Sequence, residues 1–205
     1  IVFLTLAIAC ILPLLAVVSI AFSSEKAIQE FGYSLWPREI SAESFKFLWR
    51  QRTVLFRSLG ISLFVTIVGT VIGTILTTST GYVLSRPQYR LRNFLTWIVF
   101  IPMVFSGGMV SSYFVNVNLL GLKNNVWALI FPLMVSPFNI IVCRTFFRTT
   151  VPDSLIESAK IDGASQLTIY FRIVLPISLP VFATISLFLS FAYWNDWFQS
   201  MLYID

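Results

Sequence analysis

The sequence predicts an all-α protein that crosses a membrane several times. Of its 205 residues, 57% are hydrophobic and 11% are charged, whereas a soluble domain carries about 25% charged residues. The apolar residues form continuous runs rather than alternating with polar ones, which favours helices over a β-barrel. This surplus of apolar residues predicts a lipid environment.

Charge-free intervals locate the predicted membrane spans. A spanning helix needs about 20 apolar residues, and several intervals of the sequence reach that length. The predicted spans are Ile1–Phe22, Ser58–Leu84, Phe94–Tyr113, Val126–Phe146 and Leu175–Tyr193. Because the sequence stops soon after the last of these, we expect a sixth span beyond Asp205.

Glycines and prolines predict irregular features within the spans. Gly69, Gly73 and Gly81 would let other helices approach the second span closely. A proline inside a helix removes a backbone donor, so a kink is expected wherever one occurs. Prolines inside predicted spans are Pro102, Pro132 and Pro137.

The basic residues predict an orientation. Residues 85–93 carry Arg86, Arg90 and Arg92 and no acid, so the positive-inside rule places them in the cytoplasm. Residues from Arg144 onward then also lie inside, and residues 23–57 form an extracytoplasmic loop. That loop mixes basic and acidic residues, so the charge difference between the two sides is small.

Several classes of function find no support in the sequence. The net charge of +5 is spread along the chain and predicts no nucleic-acid binding. The chain has no histidine, and Cys10 and Cys143 fall inside apolar runs as expected of buried free thiols. No metal site and no catalytic residue are predicted. The sequence also lacks a Walker-type phosphate loop, so no ATPase site is predicted in this chain.

A membrane channel or an ion-coupled secondary transporter is the alternative class. Proteins of that kind normally hold an ionisable residue at mid-membrane. The predicted spans place none there, so the sequence does not favour this class.

Residues 148–176 are polar between two apolar runs and predict a cytoplasmic helical hairpin. Ser154 and Glu157 have the spacing of a capping box at the start of its first helix. Asp162-Gly163 predicts the end of that helix, with Gly163 in a left-handed conformation. A second helix is expected from about Ala164 into the fifth span. The apolar side of the first helix would comprise Leu155, Ile156, Ala159 and Ile161. Such a hairpin is either a surface connector or a docking element for a cytoplasmic partner.

The hairpin also carries a motif. Glu157-Ser158-Ala159 is followed by Gly163 and then by Ile173-Val174-Leu175-Pro176. This pattern resembles the EAA motif of the membrane subunits of binding-protein-dependent ABC importers, with Ser158 where alanine is usual. Further segments resemble the carbohydrate-uptake branch, in particular its lipoprotein/polysaccharide-type and maltose-type permeases: Tyr82–Arg86, Ser106–Val110, Arg144–Phe147 and Tyr193–Phe198.

The resemblance implies a type I importer fold with six spans in a bacterial cytoplasmic membrane. It also implies two cytoplasmic ATPases that bind ATP and magnesium, a second homologous permease subunit and an extracytoplasmic solute-binding protein. No cofactor is expected in this chain itself. Transport would follow alternating access, with the hairpin joined rigidly to the fifth span through Leu175-Pro176. The residues expected to couple the chain to the ATPases are Leu155, Glu157, Ser158, Ala159, Asp162 and Gly163.

Two groups of residues are candidates for the substrate pathway. The first combines flat aromatic faces with an amide, as carbohydrate sites do: Tyr193, Trp194, Asn195 and Trp197. The same residues would also suit an aromatic belt at the membrane interface. The second group is Gly107 and Gly108, which would bring backbone close to the pathway or serve helix packing.

The extracytoplasmic loop predicts an amphipathic helix over Ser41–Arg57. Its expected apolar contacts are Phe45, Leu48, Trp49 and Leu55, and the basic residues of the loop are grouped at Arg38, Lys46, Arg50, Arg52 and Arg57. Three roles remain open for these basic groups: anchoring to anionic lipid, docking of the binding protein, and attraction of an acidic oligosaccharide built from uronic acids.

Overall fold

The computed structural model describes residues 2–205, with the backbone alone at Leu4. Ile1, the first residue of the first predicted span, lies outside the described residues. The described part of the chain is mostly helical, and its β pairing is confined to one antiparallel bridge between Ser23 and Ile40. The predicted all-α fold class is confirmed.

Residues up to Gly60 form one compact unit. It holds α1 (Val2–Ala21), α2 (Glu25–Phe31), α3 (Glu43–Arg50) and the beginning of α4 (Arg52–Ser85). Ser24 caps α2, since its hydroxyl accepts from the backbone N–H of Ala27 at 3.2 Å. The rings of Phe22 and Phe45 lie 5.0 Å apart, so α3 packs back on the end of α1.

The predicted amphipathic helix over Ser41–Arg57 is wrong in its length. Helix α3 ends at Arg50, and Gln51 leaves the helical conformation with φ −88° and ψ 11°. The guanidinium carbon of Arg52 lies 5.5 Å from the centre of the Trp49 ring, a cation–π contact that joins the end of α3 to the start of α4. Leu55 and Arg57 therefore belong to α4.

Helix α4 is the longest element, with 34 residues. At 1.5 Å per residue it measures about 50 Å, more than the roughly 30 Å of a bilayer core. It is the one described helix that is both long and apolar enough to cross a membrane unbroken.

Residues 61–205 form the second unit. Beyond α4 it contains α5 (Arg92–Val104), α6 (Gly108–Phe114), a π-helical turn at Val115–Leu119, α7 (Trp127–Met134), α8 (Pro137–Thr150), α9 (Asp153–Ile161), α10 (Gln166–Ile169), a second π-helical turn at Tyr170–Val174, α11 (Leu175–Ile177), α12 (Leu179–Trp194) and α13 (Phe198–Tyr203).

Breaks interrupt the third and fourth predicted spans. Residues 105–107 separate α5 from α6. Helices α7 and α8 meet at 48°, and Pro137 opens α8 at the position where a missing N–H costs nothing. The bend expected from Pro137 is thus present. Pro102 and Pro132 lie within α5 and α7.

The number of membrane spans stays a prediction. Two bent pairs, Trp127–Met134 with Pro137–Thr150 and Gln166–Ile177 with Leu179–Trp194, are each long and apolar enough if counted as one broken span. Thr5–Ala21 and Arg92–Val104 are apolar but shorter.

The glycines of α4 mark its closest contacts. A Cβ at Gly73 would lie 2.6 Å from the carbonyl oxygen of Met134, and one at Gly81 would overlap Cys143. Gly69 lies directly against the ring of Tyr193. The close approach predicted for these glycines is confirmed, and α4 is the element on which α7, α8 and α12 pack.

The C-terminal residues fold back on the loop before α7. Tyr203 is buried, receives a hydrogen bond from Asn116 Nδ2 at 2.9 Å and stacks on Tyr113 at 6.1 Å. Lys123 and Asp205 form an ion pair at 3.0 Å. Their hydrogen bond raises the pKa of Lys123 and lowers the pKa of Asp205. These contacts order one end of the helical bundle.

Candidate functional site

The first helix of the hairpin at residues 148–176 begins two residues earlier than its sequence suggests, with Pro152 rather than Ser154 at the N-cap position. Helix α9 starts at Asp153 after an extended Pro152, and no side chain caps it. The predicted capping box of Ser154 and Glu157 is therefore wrong. The fixed φ of Pro152 sets the start, and Ser154 lies inside the first turn, where its carbonyl accepts from the Ser158 hydroxyl at 2.9 Å.

The end of α9 is built around Gly163. Its φ of 78° is left-handed, as predicted. The N–H of Gly163 donates to Lys160 O and the N–H of Ala164 donates to Ala159 O, both at 3.0 Å. This pair of bonds is a Schellman motif, which satisfies carbonyls left free at the helix end and fixes the direction of the departing chain.

Helix α9 has one buried side and one exposed side. Ile156 and Ala159 are buried in the core below the hairpin. Ile161 is 86% exposed and Leu155 is also exposed, so the predicted apolar side is wrong for these two residues. The residues open to solvent include Leu155, Glu157, Ser158, Lys160, Asp162 and Gly163. Among the candidate coupling residues, Ala159 alone is buried.

The second helix starts at Gln166 rather than at about Ala164. Ser165 caps it, because its hydroxyl accepts from Thr168 N at 3.2 Å. From Tyr170 to Val174 the helix widens into a π-helical turn, and it then continues as α11 to Ile177. Such turns are common at functional positions in helices.

The second helix does not run straight into the fifth span. At Ser178 the chain bends by 83° before α12 begins at Leu179. Pro176 and Pro180 flank Ser178, and neither supplies the N–H that would continue the helical ladder. The expected continuous run of the second helix into the fifth span is therefore wrong, since the hairpin and α12 meet at an angle, while a rigid connection through Leu175-Pro176 stays a prediction.

A cluster of buried side chains lies beneath the hairpin. Tyr82 of α4 contacts Phe147 of α8 at 5.8 Å and Tyr170 of the hairpin at 5.3 Å, measured between ring centroids. Further members of the cluster are Cys143, Val151, Ile156, Ala159, Ile169, Val174, Val181, Ile185 and Leu189. Aromatic pairs add about 0.5–1.5 kcal/mol each beyond their buried area. The hairpin is thus packed firmly against α4 and α8.

Polar contacts add to this packing. Thr78 Oγ1 of α4 and the hydroxyl of Tyr170 lie 3.1 Å apart. The guanidinium of Arg86 donates to Asp153 Oδ1 at 2.8 Å and to Phe147 O at 2.7 Å. In the sequence, Arg86 belongs to the positive-inside pattern and to the segment Tyr82–Arg86, and neither predicts these contacts. The spacing of Arg86 and Asp153 in the sequence carries no signal that the two would meet.

A cavity of about 500 Å³ lies beside the hairpin. Its walls come from α4, α9 and the second helix, and they include Tyr82, Ile156, Lys160, Tyr170 and Phe171. Most of these walls are apolar, so a recess adjoins the exposed side of α9.

The aromatic candidates for the substrate pathway separate into two environments. Tyr193 is 4% exposed, and its hydroxyl donates to Ile130 O at 2.7 Å. Trp194 and Trp197 are exposed, and Asn195 Nδ2 donates to Phe191 O at 2.9 Å. The structure thus holds Tyr193 in the core and brings the two indoles to the surface.

The carboxylate next to these indoles is partly buried. Burial raises the pKa of Asp196, although hydrogen bonds from the backbone of Gln199 and Phe198 oppose the shift.

Gly107 and Gly108 lie at the break between α5 and α6. Both are exposed, and Gly108 has a φ of 73°. A Cβ at Gly108 would have no neighbour within 4 Å, and one at Gly107 would meet only Ser111 of the same helix. Within the described residues, these glycines therefore pack against no other helix.

Comparison with known proteins shows the family to which this architecture belongs. Residues 69–198 match the family described as "Binding-protein-dependent transport system inner membrane component". The match contains the hairpin, its core and the corner at Ser178.

Two curated relatives come from Bacillus subtilis (strain 168). Protein LplC is 40% identical over 195 residues, which are 95% of this chain and 65% of LplC. The polygalacturonan/rhamnogalacturonan transport system permease protein YtcP is 39% identical over 202 residues, which are 98% of this chain and 70% of YtcP. The chain thus spans about two thirds of the length of these relatives.

A solved structure has the same fold. It is the crystal structure of a bacterial ABC transporter involved in the import of the acidic polysaccharide alginate, and it matches with a TM-score of 0.87 and 27% identity. The match covers 100% of this chain and 72% of the other. This chain belongs to the binding-protein-dependent transport system inner membrane components, the permease subunits of ABC importers.

Proposed function

We propose that this chain is the permease subunit of an ATP-driven importer of oligosaccharides, and that the hairpin at residues 148–176 receives the force of ATP hydrolysis. The observation that carries the proposal is the two-sided character of α9. One side is locked into the core by Ile156 and Ala159, while the other presents Glu157 and Ser158 to solvent. An element of this kind suits docking to a partner and transmission of its movement.

The partners in this proposal supply what the chain lacks. Two ATPase subunits bind ATP and magnesium and grip the exposed side of the hairpin. A second permease subunit completes the pathway, and an extracytoplasmic binding protein delivers the sugar. Alternating access would follow from the movement of the hairpin relative to the helices that it contacts. The residues proposed for coupling are Leu155, Glu157, Ser158, Asp162 and Gly163, with Ala159 holding the helix in place.

The proposed substrate is an acidic oligosaccharide such as a uronate oligomer. Support comes from the names of two similar proteins, the YtcP permease for polygalacturonan and rhamnogalacturonan and the alginate importer. A second support is the group of basic residues around α3 and the start of α4, which would raise the local concentration of an anionic sugar. This group comprises Arg38, Lys46, Arg50, Arg52 and Arg57.

Sugar contacts are proposed at the exposed indoles of Trp194 and Trp197. Flat aromatic faces stack on sugar rings, and both side chains are exposed, Trp194 as the last residue of α12 and Trp197 shortly after it. Gly107 and Gly108 are proposed to line the same pathway with exposed backbone.

A comparison of substrates tests this proposal. The assembled transporter is placed in proteoliposomes, and its ATPase rate is measured with binding protein loaded with uronate oligomers or with neutral oligomers of equal length. We expect greater stimulation by the uronate oligomers, and a smaller difference in high salt because screening weakens attraction between exposed charges. Equal or greater stimulation by the neutral sugars would exclude an acidic substrate. The basic residues would then serve lipid anchoring or docking of the binding protein.

A further inference from the structure

Arg86 is a buried cation at the junction of three helices. It follows the last residue of α4, and the residue is 7% exposed. A buried charge is costly unless its hydrogen-bonding groups are satisfied. Its surroundings therefore indicate a specific role rather than general attraction to the cytoplasmic side.

The guanidinium finds acceptors on every side. Nε donates to Ser85 Oγ at 2.9 Å, Nη1 to Asp153 Oδ1 at 2.8 Å and to Val151 O at 3.2 Å, and Nη2 to Phe147 O at 2.7 Å. The same group lies 5.2 Å from the centre of the Tyr82 ring. Four of the five N–H groups of an arginine can be satisfied in this way.

These acceptors belong to different parts of the fold. The carbonyls of Phe147 and Val151 lie at the C-terminal end of α8, where a positive charge is favourable. Asp153 is the first residue of α9. One side chain thus binds the end of α4 to both the end of α8 and the entry of the hairpin.

The second helix of the hairpin also contacts α4, through Tyr170. The Tyr170 hydroxyl meets Thr78, and the Tyr170 ring meets Tyr82. By contrast, the covalent link from the hairpin to α12 turns through 83° at Ser178. Helix α4 is therefore held by both halves of the hairpin, while α12 is joined to it by a corner.

We propose that Arg86 is a positioning residue that transmits movement of the hairpin to α4. This inference rests on the proposed function. Helix α4 then carries the displacement along its length to Gly73 and Gly69, where it packs on Met134 of α7 and on Leu189 and Tyr193 of α12. Helix α4, rather than α12 alone, receives the movement that opens the pathway.

The test uses the complete transporter in proteoliposomes and measures sugar uptake and ATP hydrolysis on the same preparation. Arg86→Gln keeps a polar side chain of similar reach but loses the charge and the planar fork. We expect ATP hydrolysis to continue while uptake per ATP falls by at least about fivefold, the lower end of typical couplings between sites. Arg86→Lys keeps the charge but loses the planar guanidinium. Its uptake per ATP is expected to lie between the values of the wild type and of Arg86→Gln. Arg90→Gln, exposed in the same loop, is the matched control and should leave the ratio unchanged.

A purely structural role predicts a different outcome. In that case Arg86→Gln would lower the amount or melting temperature of the complex, with unchanged uptake per ATP in the molecules that remain. That result would overturn the inference. If Arg86→Gln does not assemble, Arg86→Lys and Asp153→Asn decide the question, and a wild-type ratio in both would contradict the proposal.

Distances measured between spin labels separate this inference from the proposed function. Ile161 on α9 and Ile75 on α4 are both exposed and can carry the labels. In the wild-type transporter we expect the distance between the two labels to stay the same when ATP is added, because α9 and α4 move together. In Arg86→Gln we expect ATP to change that distance. If the wild-type transporter shows no ATP-dependent uptake, the proposed function fails. If it transports and Arg86→Gln keeps the wild-type ratio and separation, only the role of Arg86 fails.

Discussion

Replacing Gly163 by valine is expected to abolish uptake while the protein still inserts into the membrane. Gly163 adopts a φ of 78°, which costs an L-residue about 1–2 kcal/mol and costs more with a β-branched side chain. A Cβ at this position would have no neighbour within 4 Å, so the variant changes the backbone and not the packing. The Schellman motif at the end of α9 would open, and the exposed side of the helix would lose the orientation that the proposed docking to ATPase subunits requires. Uptake per inserted protein is the measurement.

Two variants serve as controls for Gly163→Val. Gly121→Val meets the same backbone penalty, since Gly121 has a φ of 63° and open surroundings, but it lies far along the chain from the hairpin. Its uptake per inserted protein should stay near the wild-type value. Gly163→Asn should keep much of the uptake, because asparagine tolerates the left-handed conformation. Normal uptake by Gly163→Val would refute the coupling role of this turn.

The second large effect is expected from Gly73→Val in the middle of α4. The new Cβ would lie 2.6 Å from Met134 O and 2.9 Å from Leu189 Cδ1. The carbonyl belongs to the backbone and cannot rotate away, so α7 must move. Overpacking of this kind typically costs about 1–3 kcal/mol, and here it would push α4 away from α7 and α12. We expect a lower melting temperature and little assembled transporter.

Gly60→Val is the matched control for Gly73→Val. Gly60 lies in the same helix, and a Cβ there would meet nothing within 4 Å. The substitution should leave stability almost unchanged, because valine forms helices at least as well as glycine. If both variants melted at the wild-type temperature, the close packing described for α4 would be wrong.

Two local features of the fold, both built on glycine, could be predicted from the sequence. Gly163 has few alternatives as the end of α9, because a left-handed residue after a short amphipathic helix strongly favours glycine. The glycines of α4 similarly indicated close helix packing before any partner was known. Both predictions depend on backbone constraints that one residue type satisfies best.

The contacts of Arg86 could not be predicted in the same way. Two of its acceptors, Phe147 O and Val151 O, are backbone carbonyls, and every residue carries one. Only the folded chain shows which carbonyls come together. The corner at Ser178 is an intermediate case, since Pro176 and Pro180 are visible in the sequence, yet the apolar run from Leu175 predicted a helix continuous with the hairpin.

Tyr193 shows how a neighbouring helix changes the role of a residue. Its sequence context of Trp194, Asn195 and Trp197 suits either a sugar site or an interfacial belt. In the structure the ring of Tyr193 packs against Gly69, and its hydroxyl donates a hydrogen bond to Ile130 O. Because Gly69 is 124 positions away in the sequence, the pairing depends on tertiary packing alone.

The most direct test is uptake of labelled oligosaccharide into proteoliposomes that hold the complete transporter, with ATP inside and binding protein outside. Ionophores collapse every ion gradient during the measurement. The account predicts that sugar accumulates above its external concentration, and that this accumulation requires ATP, the ATPase subunits and the binding protein. Uptake that proceeds without ATP, stops at equal concentrations on both sides or requires an ion gradient would contradict it and identify a channel or an ion-coupled transporter.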